Sequence, residues 1–99
     1  MARFDVYRNP DGPGYLIDCQ ADLFRHYHVR VVVPLLPPEI APNVVARLNP
    51  TFQIGGENYV MVPHFIASVP EAELGPRVTT LARHDMTILA AIDMMLSGF

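Results

Sequence analysis

The chain has 99 residues, 51% of them hydrophobic, and a formal net charge of −3. That makes one domain, with enough apolar matter for one modest core and a buried interface but not for two cores. Lysine is absent and seven arginines carry all the positive charge, which excludes a broad basic face for nucleic acid and leaves only a few arginines in one groove.

The first stretch, Arg3 to Arg8, alternates apolar and polar residues, the period of a half-buried strand. It lacks the long apolar core of a secretory signal. Asn9 to Gly14 is dense turn chemistry, and Tyr15 to Gln20 reads as a second strand. Residues 3 to 20 therefore predict a hairpin with a long tip. Cys19 points inward in this alternation and behaves as a small buried hydrophobe. As the single cysteine it excludes an internal disulfide framework and fits a reducing cytoplasm.

Leu23 and Phe24 place two large apolar side chains in a loop. Val29 to Leu35 is the strongest strand pattern, β-branched and nearly continuous, as expected in the middle of a sheet covered on both faces. Pro34 should end its ladder or sit at a bulge. Four prolines between Leu36 and Pro50 exclude a long regular element. A short turn of helix fits around Val44 to Leu48. Thr51 to Ile54 and Tyr59 to Val62 flank Gly55-Gly56-Glu57-Asn58, a hairpin signal. Phe65 to Val69 predicts one more short strand, stopped by Pro70, and Glu71 to Thr80 is turn-like.

The C-terminal run from Arg83 to Phe99 carries the clearest helical signal. Ile88, Ile92, Met95 and Phe99 form one apolar stripe, extended by Leu81 and widened by Leu89, Ala91 and Leu96. A helix from about Arg83 to Leu96 follows, with Asp85 near its positive end and Gly98 closing it. Its other side, with Met86, Ala90, Asp93, Met94 and Ser97, carries little charge. Exposed methionines beside alanine suggest a covered or adaptable contact surface. The fold class is mainly β with one C-terminal α-helix: a small curled antiparallel barrel closed by the helix, in one domain spanning residues 1–99. No run is long enough to cross a membrane.

No catalytic constellation stands out. The histidines at 26, 28, 64 and 84 are scattered. His26 and His28 would share one strand face in HYH, a two-ligand site at most, and two solvated side chains otherwise. Nucleophile elbow, phosphate loop and dinucleotide fingerprint are all missing. Arg30 with a carboxylate could serve acid–base chemistry on a phosphodiester, but nothing in the residue order requires it. No cofactor or metal is implied, and the residues themselves point to no enzyme.

An ordered series of short stretches resembles the CcdB family of plasmid and chromosomal toxins. It runs Phe4-x-Val6-Tyr7, Asp18-x-Gln20-x-Asp22, Arg30-x-Val32-Val33-Pro34-Leu35 and Pro50-x-x-x-Ile54-Gly55-x-Glu57. Met61 and Ala67-Ser68-Val69-Pro70 follow, then His84 and Ile88-x-x-Ala91-Ile92-x-x-Met95-x-x-Gly98. About one residue is missing between Pro34 and Pro50. No single motif is specific; the series is.

The resemblance implies a barrel of the kind shared with the Kid and MazF toxins, and a homodimer. It implies a cytoplasmic toxin, neutralised by a CcdA-like antitoxin, that binds the gyrase A protein of DNA gyrase and traps the cleaved-DNA complex. It implies contact with DNA only through the antitoxin complex, and none with membrane. Carried over residue by residue, the gyrase-binding set is Leu23, Phe24, Asp93, Ser97, Gly98 and Phe99. The dimer interface is Ile92, Met94, Met95 and Phe99. The antitoxin-binding set is Arg8, Asn9, Asp11, Ile40, Val44 and Val45. The tail departs from the family: Ser97-Gly98-Phe99 stands where the family has Trp-Gly-Ile, and Asp93 and Ala90 stand where it has Asn. Two further expectations stay open, a weakly toxic or non-toxic homologue that only binds an antitoxin, and an endoribonuclease of the MazF kind.

Overall fold

The computed structural model describes residues 2–42 and 44–98. Seven strands and one α-helix follow one another: β1 (Asp5–Arg8), β2 (Tyr15–Asp18), β3 (Val29–Leu36), β4 (Thr51–Ile54), β5 (Glu57–Met61), β6 (Ala67–Pro70), β7 (Thr79–Thr80) and α1 (Asp85–Ser97). The strand order is β4-β5-β3-β2-β1-β7, all antiparallel, with β6 also on β3. The result is a nearly closed barrel with one helix, the predicted class.

β3 is the spine. One edge pairs with β2 along Val32 to Leu35. The other edge forks: Val29 to Val32 pair with β6, and Leu35 and Leu36 pair with β5. The β-branched run Val31-Val32-Val33 suits this crowded centre.

Pro34, expected to end the ladder or sit at a bulge, lies instead inside β3, paired opposite Leu16. Its carbonyl accepts the Val62 N–H at 3.0 Å. In a strand the N and C=O of one residue point the same way. The missing N–H of Pro34 therefore faces Val62, its opposite number in the register that continues from Leu35 and Met61, so one bond of that pair is forgone where β3 passes from β5 to β6.

The first hairpin forms as predicted, and its close packing depends on Gly14. That residue has φ +91°, and a Cβ there would lie 2.2 Å from the Leu35 carbonyl oxygen. The second hairpin forms with Gly-Gly in its tight turn, as predicted, but its second strand begins at Glu57, two residues earlier than expected. Gly55 and Gly56, both at positive φ, make a two-residue turn, and Glu57 already pairs with Ile54.

The rest differs only locally. The short turn of helix expected around Val44 to Leu48 is a single turn, with the Leu48 and Asn49 N–H groups on the Val45 carbonyl at 2.9 and 2.7 Å, held by the buried Asn49. Its Oδ1 accepts the Val45 N–H at 3.0 Å, and its Nδ2 donates to the Met61 carbonyl at 3.0 Å. Phe65 belongs to a 3-10 turn, Pro63–Phe65, rather than to β6. The stretch read as a long turn supplies β7, which pairs Thr79 and Thr80 with Val6 and Asp5 and closes the seam.

The barrel interior is apolar: Val6, Ile17, Val33, Leu35 and Met61 are fully buried with Phe4, Phe52 and Ile54 around them. Each such side chain contributes about 1.5–3 kcal/mol of transfer free energy. Ile88 and Ala91 of α1, with Leu81 before it, plug this interior. The helix starts two residues later than predicted, after a 3-10 turn at Ala82–His84, and Gly98 caps it at φ 81° with its N–H on the Met94 carbonyl at 2.7 Å. No helix among the described residues is long and apolar enough to cross a membrane.

Candidate functional site

The buried side of α1 is narrow. Only Ile88 and Ala91 are fully covered; Leu89, Ile92, Met94 and Met95 are half-buried. Met86 remains 81% and Leu96 72% exposed. This 13-residue helix, seated on the barrel core and on the Pro63–Phe65 and Ala82–His84 turns, thus leaves Met86, Ala90 and Leu96 uncovered and four more apolar side chains only partly covered. Of the residues assigned to the dimer, Ile92, Met94 and Met95 line the boundary of that surface. Of the gyrase-binding set, Asp93, Ser97 and Gly98 are exposed on the helix and at its cap. Phe99, placed in both sets, lies outside the described residues. Leu23 and Phe24 belong to a 3-10 turn, Asp22–Phe24, far along the chain from the helix; Leu23 is 81% exposed.

The antitoxin-binding residues fall in two places. Arg8 ends β1 with its guanidinium 5.7 Å above the Tyr15 ring. Asn9 Oδ1 accepts the Asp11 N–H at 3.0 Å, which shapes the hairpin tip. Arg8 lines a cavity of about 350 Å³ with Pro10, Glu73, Pro76, Arg77 and Val78. Ile40, Val44 and Val45 are each about half exposed on the excursion after β3 and line no part of that cavity. Arg77, which pairs with Asp5 at 3.6 Å, is the cavity residue that the sequence reading missed. Its only signal was an arginine two residues ahead of Thr79 and Thr80, which form β7.

Behind the first hairpin the sheet's outer face is also buried. Tyr7, Leu16 and Val32 pack with Val69 of β6 and with Leu74 from the strap that follows it. Asp18 and Arg30 lie among them at 0% exposure. Arg30 Nε donates to Asp18 Oδ2 at 2.8 Å, with Nη2 2.6 Å from the same oxygen but poorly directed. Nη1 is buried with no hydrogen-bond partner among the described residues. The Gln20 N–H donates to Asp18 Oδ1 at 3.0 Å. Burial pushes Asp18 above its ordinary value of 3.8, against the pull of the Gln20 and Arg30 hydrogen bonds. Burial, helped by the Asp5 and Asp18 charges, pushes the Tyr7 phenol up to about 12. This burial takes Arg30 out of reach of any substrate, so the acid–base role that the sequence left open for it has no access. Cys19 is buried as expected, with its thiol pushed up to about 12 by the same desolvation, an inert rather than a reactive sulfur.

His26 and His28 are not on a strand face; they sit with Arg25 in the turn before β3. The three line an open cleft of about 830 Å³, with Pro70, Glu71 and Leu74 opposite. The Glu71 N–H donates to the His28 carbonyl at 2.7 Å, fixing the two walls. Among the described residues no three His, Cys, Asp or Glu side chains are placed to hold a metal ion.

Comparison with known proteins agrees with the architecture. A family model described as CcdB protein matches residues 3–98. A solved endoribonuclease in complex with its cognate antitoxin, from a mycobacterial species, superposes with a TM-score of 0.73 at 19% identity, covering 97% of this chain and 94% of that one. A Mycobacterium tuberculosis toxin, MazF-mt6, superposes with a TM-score of 0.66 at 15% identity, with 93% of each chain covered. At such identities these two likenesses speak for the fold alone.

Proposed function

Because the chain belongs to the CcdB family, we propose that it is the toxin of a toxin–antitoxin pair and acts by binding the gyrase A protein of DNA gyrase rather than by catalysis. The observation that carries this reading is the half-covered helix. A surface with Met86 and Leu96 open and Ile92, Met94 and Met95 only half-buried favours partners along the helix. A second copy takes the half-buried line, and the capped tip at Ser97 and Gly98 is left for the target. The hairpin tip with Arg8, Asn9 and Asp11, and the apolar Ile40, Val44 and Val45, take the antitoxin; Arg8 meets an acidic side chain there.

The tail sets the strength of the target contact. Ser97 replaces a family tryptophan, and losing such an anchor costs about 2–4 kcal/mol, roughly 30- to 1000-fold in affinity. Asp93 brings an anion into the contact, which costs affinity unless a target cation meets it. Binding to gyrase is therefore expected to be weak in the wild type and strengthened by Ser97→Trp. Two pulldowns against the gyrase A protein, one with each variant, test this. If neither is retained, gyrase is not the target. Sedimentation at micromolar concentration should give about twice the monomer mass, and Met95→Asp should return the protein to a monomer.

A further inference from the structure

We propose that the cleft between the Arg25–His28 turn and the strap at Pro70 to Leu74 binds single-stranded nucleic acid, independently of the helix surface. Five consecutive residues, Phe24-Arg25-His26-Tyr27-His28, alternate aromatic rings with groups that carry or can accept a proton. All five are exposed. Arg25, His26 and His28 line the cleft; Phe24 and Tyr27 do not, and remain 43% and 62% exposed beside it in the chain. Their rings meet edge to face at 5.6 Å, and each keeps a large part of its surface in solvent.

This division of labour fits one ligand chemistry. A guanidinium forks onto two oxygens of a phosphodiester. Each imidazole can donate at least one further hydrogen bond to a phosphate oxygen. Bases freed from a duplex stack on exposed rings, whereas paired bases offer no face, so the ligand is single-stranded. An acidic peptide would use the cations but leave both rings idle.

Arg25 forms no ion pair among the described residues, so its charge is not already spent within the chain. The opposing carboxylate in the cleft is Glu71. Its backbone, not its side chain, holds the walls together, so its charge is removable without opening the site. A volume of about 830 Å³ is ample for a phosphate with its sugar. The chain lacks a broad basic face, so affinity must come from this one groove and from stacking.

Fluorescence polarisation with labelled oligouridylate and oligothymidylate tests the proposal. The wild type should bind at least one of them at low salt, and added salt should weaken that binding. Which oligonucleotide binds tells RNA from DNA. Tyr27→Ala should weaken binding about 5- to 100-fold through lost stacking. Arg25→Ala and the pair His26→Ala with His28→Ala should also weaken it, while Glu71→Gln should tighten it. Arg25, His26, Tyr27 and His28 are exposed and Glu71 is half-buried, and circular dichroism checks that each variant folds; Arg25→Gln replaces Arg25→Ala if the latter does not. Absence of binding to both oligonucleotides by folded wild type overturns the proposal. So does equal binding by the variant lacking Arg25, His26 and His28. Retention of gyrase in the pulldowns is a separate readout, so either reading can fail alone.

Discussion

The two faces of the β1-β2-β3 sheet are buried by opposite means. The inner face is an apolar interior in which Val6, Ile17, Val33 and Leu35 are buried in one hydrophobic cluster. The outer face is covered by a short strap, and carries Asp18, Arg30 and Tyr7 between Leu16 and Val32. The inner face gains stability from every side chain it hides. The outer face hides two charges whose attraction offsets their lost hydration only while both are present. One face is therefore tolerant in chemistry and strict in volume, and the other strict in chemistry.

Substitution at the charged pair should expose this contrast most. Arg30→Met is expected to destabilise by about 3–5 kcal/mol, because it strands the Asp18 carboxylate in the interior. Adding Asp18→Asn should restore most of the loss, measured as the urea midpoint of each variant against wild type. An unchanged midpoint in the single variant would show that the pair is solvated. Ile17→Ala, on the opposite face of the same strand, should cost about 2–4 kcal/mol with a cavity left behind, and no second polar substitution should rescue it.

The smallest effect is the most diagnostic. Tyr7 keeps its proton in the folded state up to about 12 rather than its ordinary 10.0. The folded state therefore binds the proton more tightly than the unfolded chain, and the contribution is fully present below 10 and lost as pH rises towards 12. Tyr7→Phe should be within about 1 kcal/mol of wild type at neutral pH and should lack this alkaline loss. Asp18 has the same sign at the acid end: its contribution is present below 3.8 and falls away as pH rises above it. Chemical denaturation across pH reads both limbs, and a Tyr7→Phe curve that still falls between 10 and 12 would assign the loss elsewhere.

Periodicity alone brings the inner face into view. Alternation places Val6, Ile17 and Cys19 inward, and the 3.6-residue stripe places Ile88 and Ala91 on the barrel. The Gly-Gly hairpin and the Gly98 cap are legible for the same reason, since local backbone rules decide them. The outer face is legible only in part: the unbroken β3 run predicts cover on both sides of Arg30, but alternation in β2 marks Asp18 as solvent-facing. What reverses that is β6 with Val69 and the strap after it with Leu74, a polar segment without a period of its own and distant from β2 in sequence. β7 escapes notice because two residues hold no pattern. The cleft is half visible: HYH draws attention to itself, but as a strand face, and its facing wall cannot be read from spacing.

The seam between β1 and β7 has a consequence for how the chain comes together. It joins the first strand to the last through only two residue pairs, Asp5 with Thr80 and Val6 with Thr79. The loop it closes contains every other strand, so its entropy is unfavourable until the rest has assembled. The barrel is therefore zipped shut at the end of folding, after both hairpins and β6 have found β3. It also opens there first under strain, with amide exchange at Thr79 and Thr80 preceding that of β3. The plug formed by Leu81, Ile88 and Ala91 hangs from this last stitch, so one opening frees the helix and uncovers the interior together.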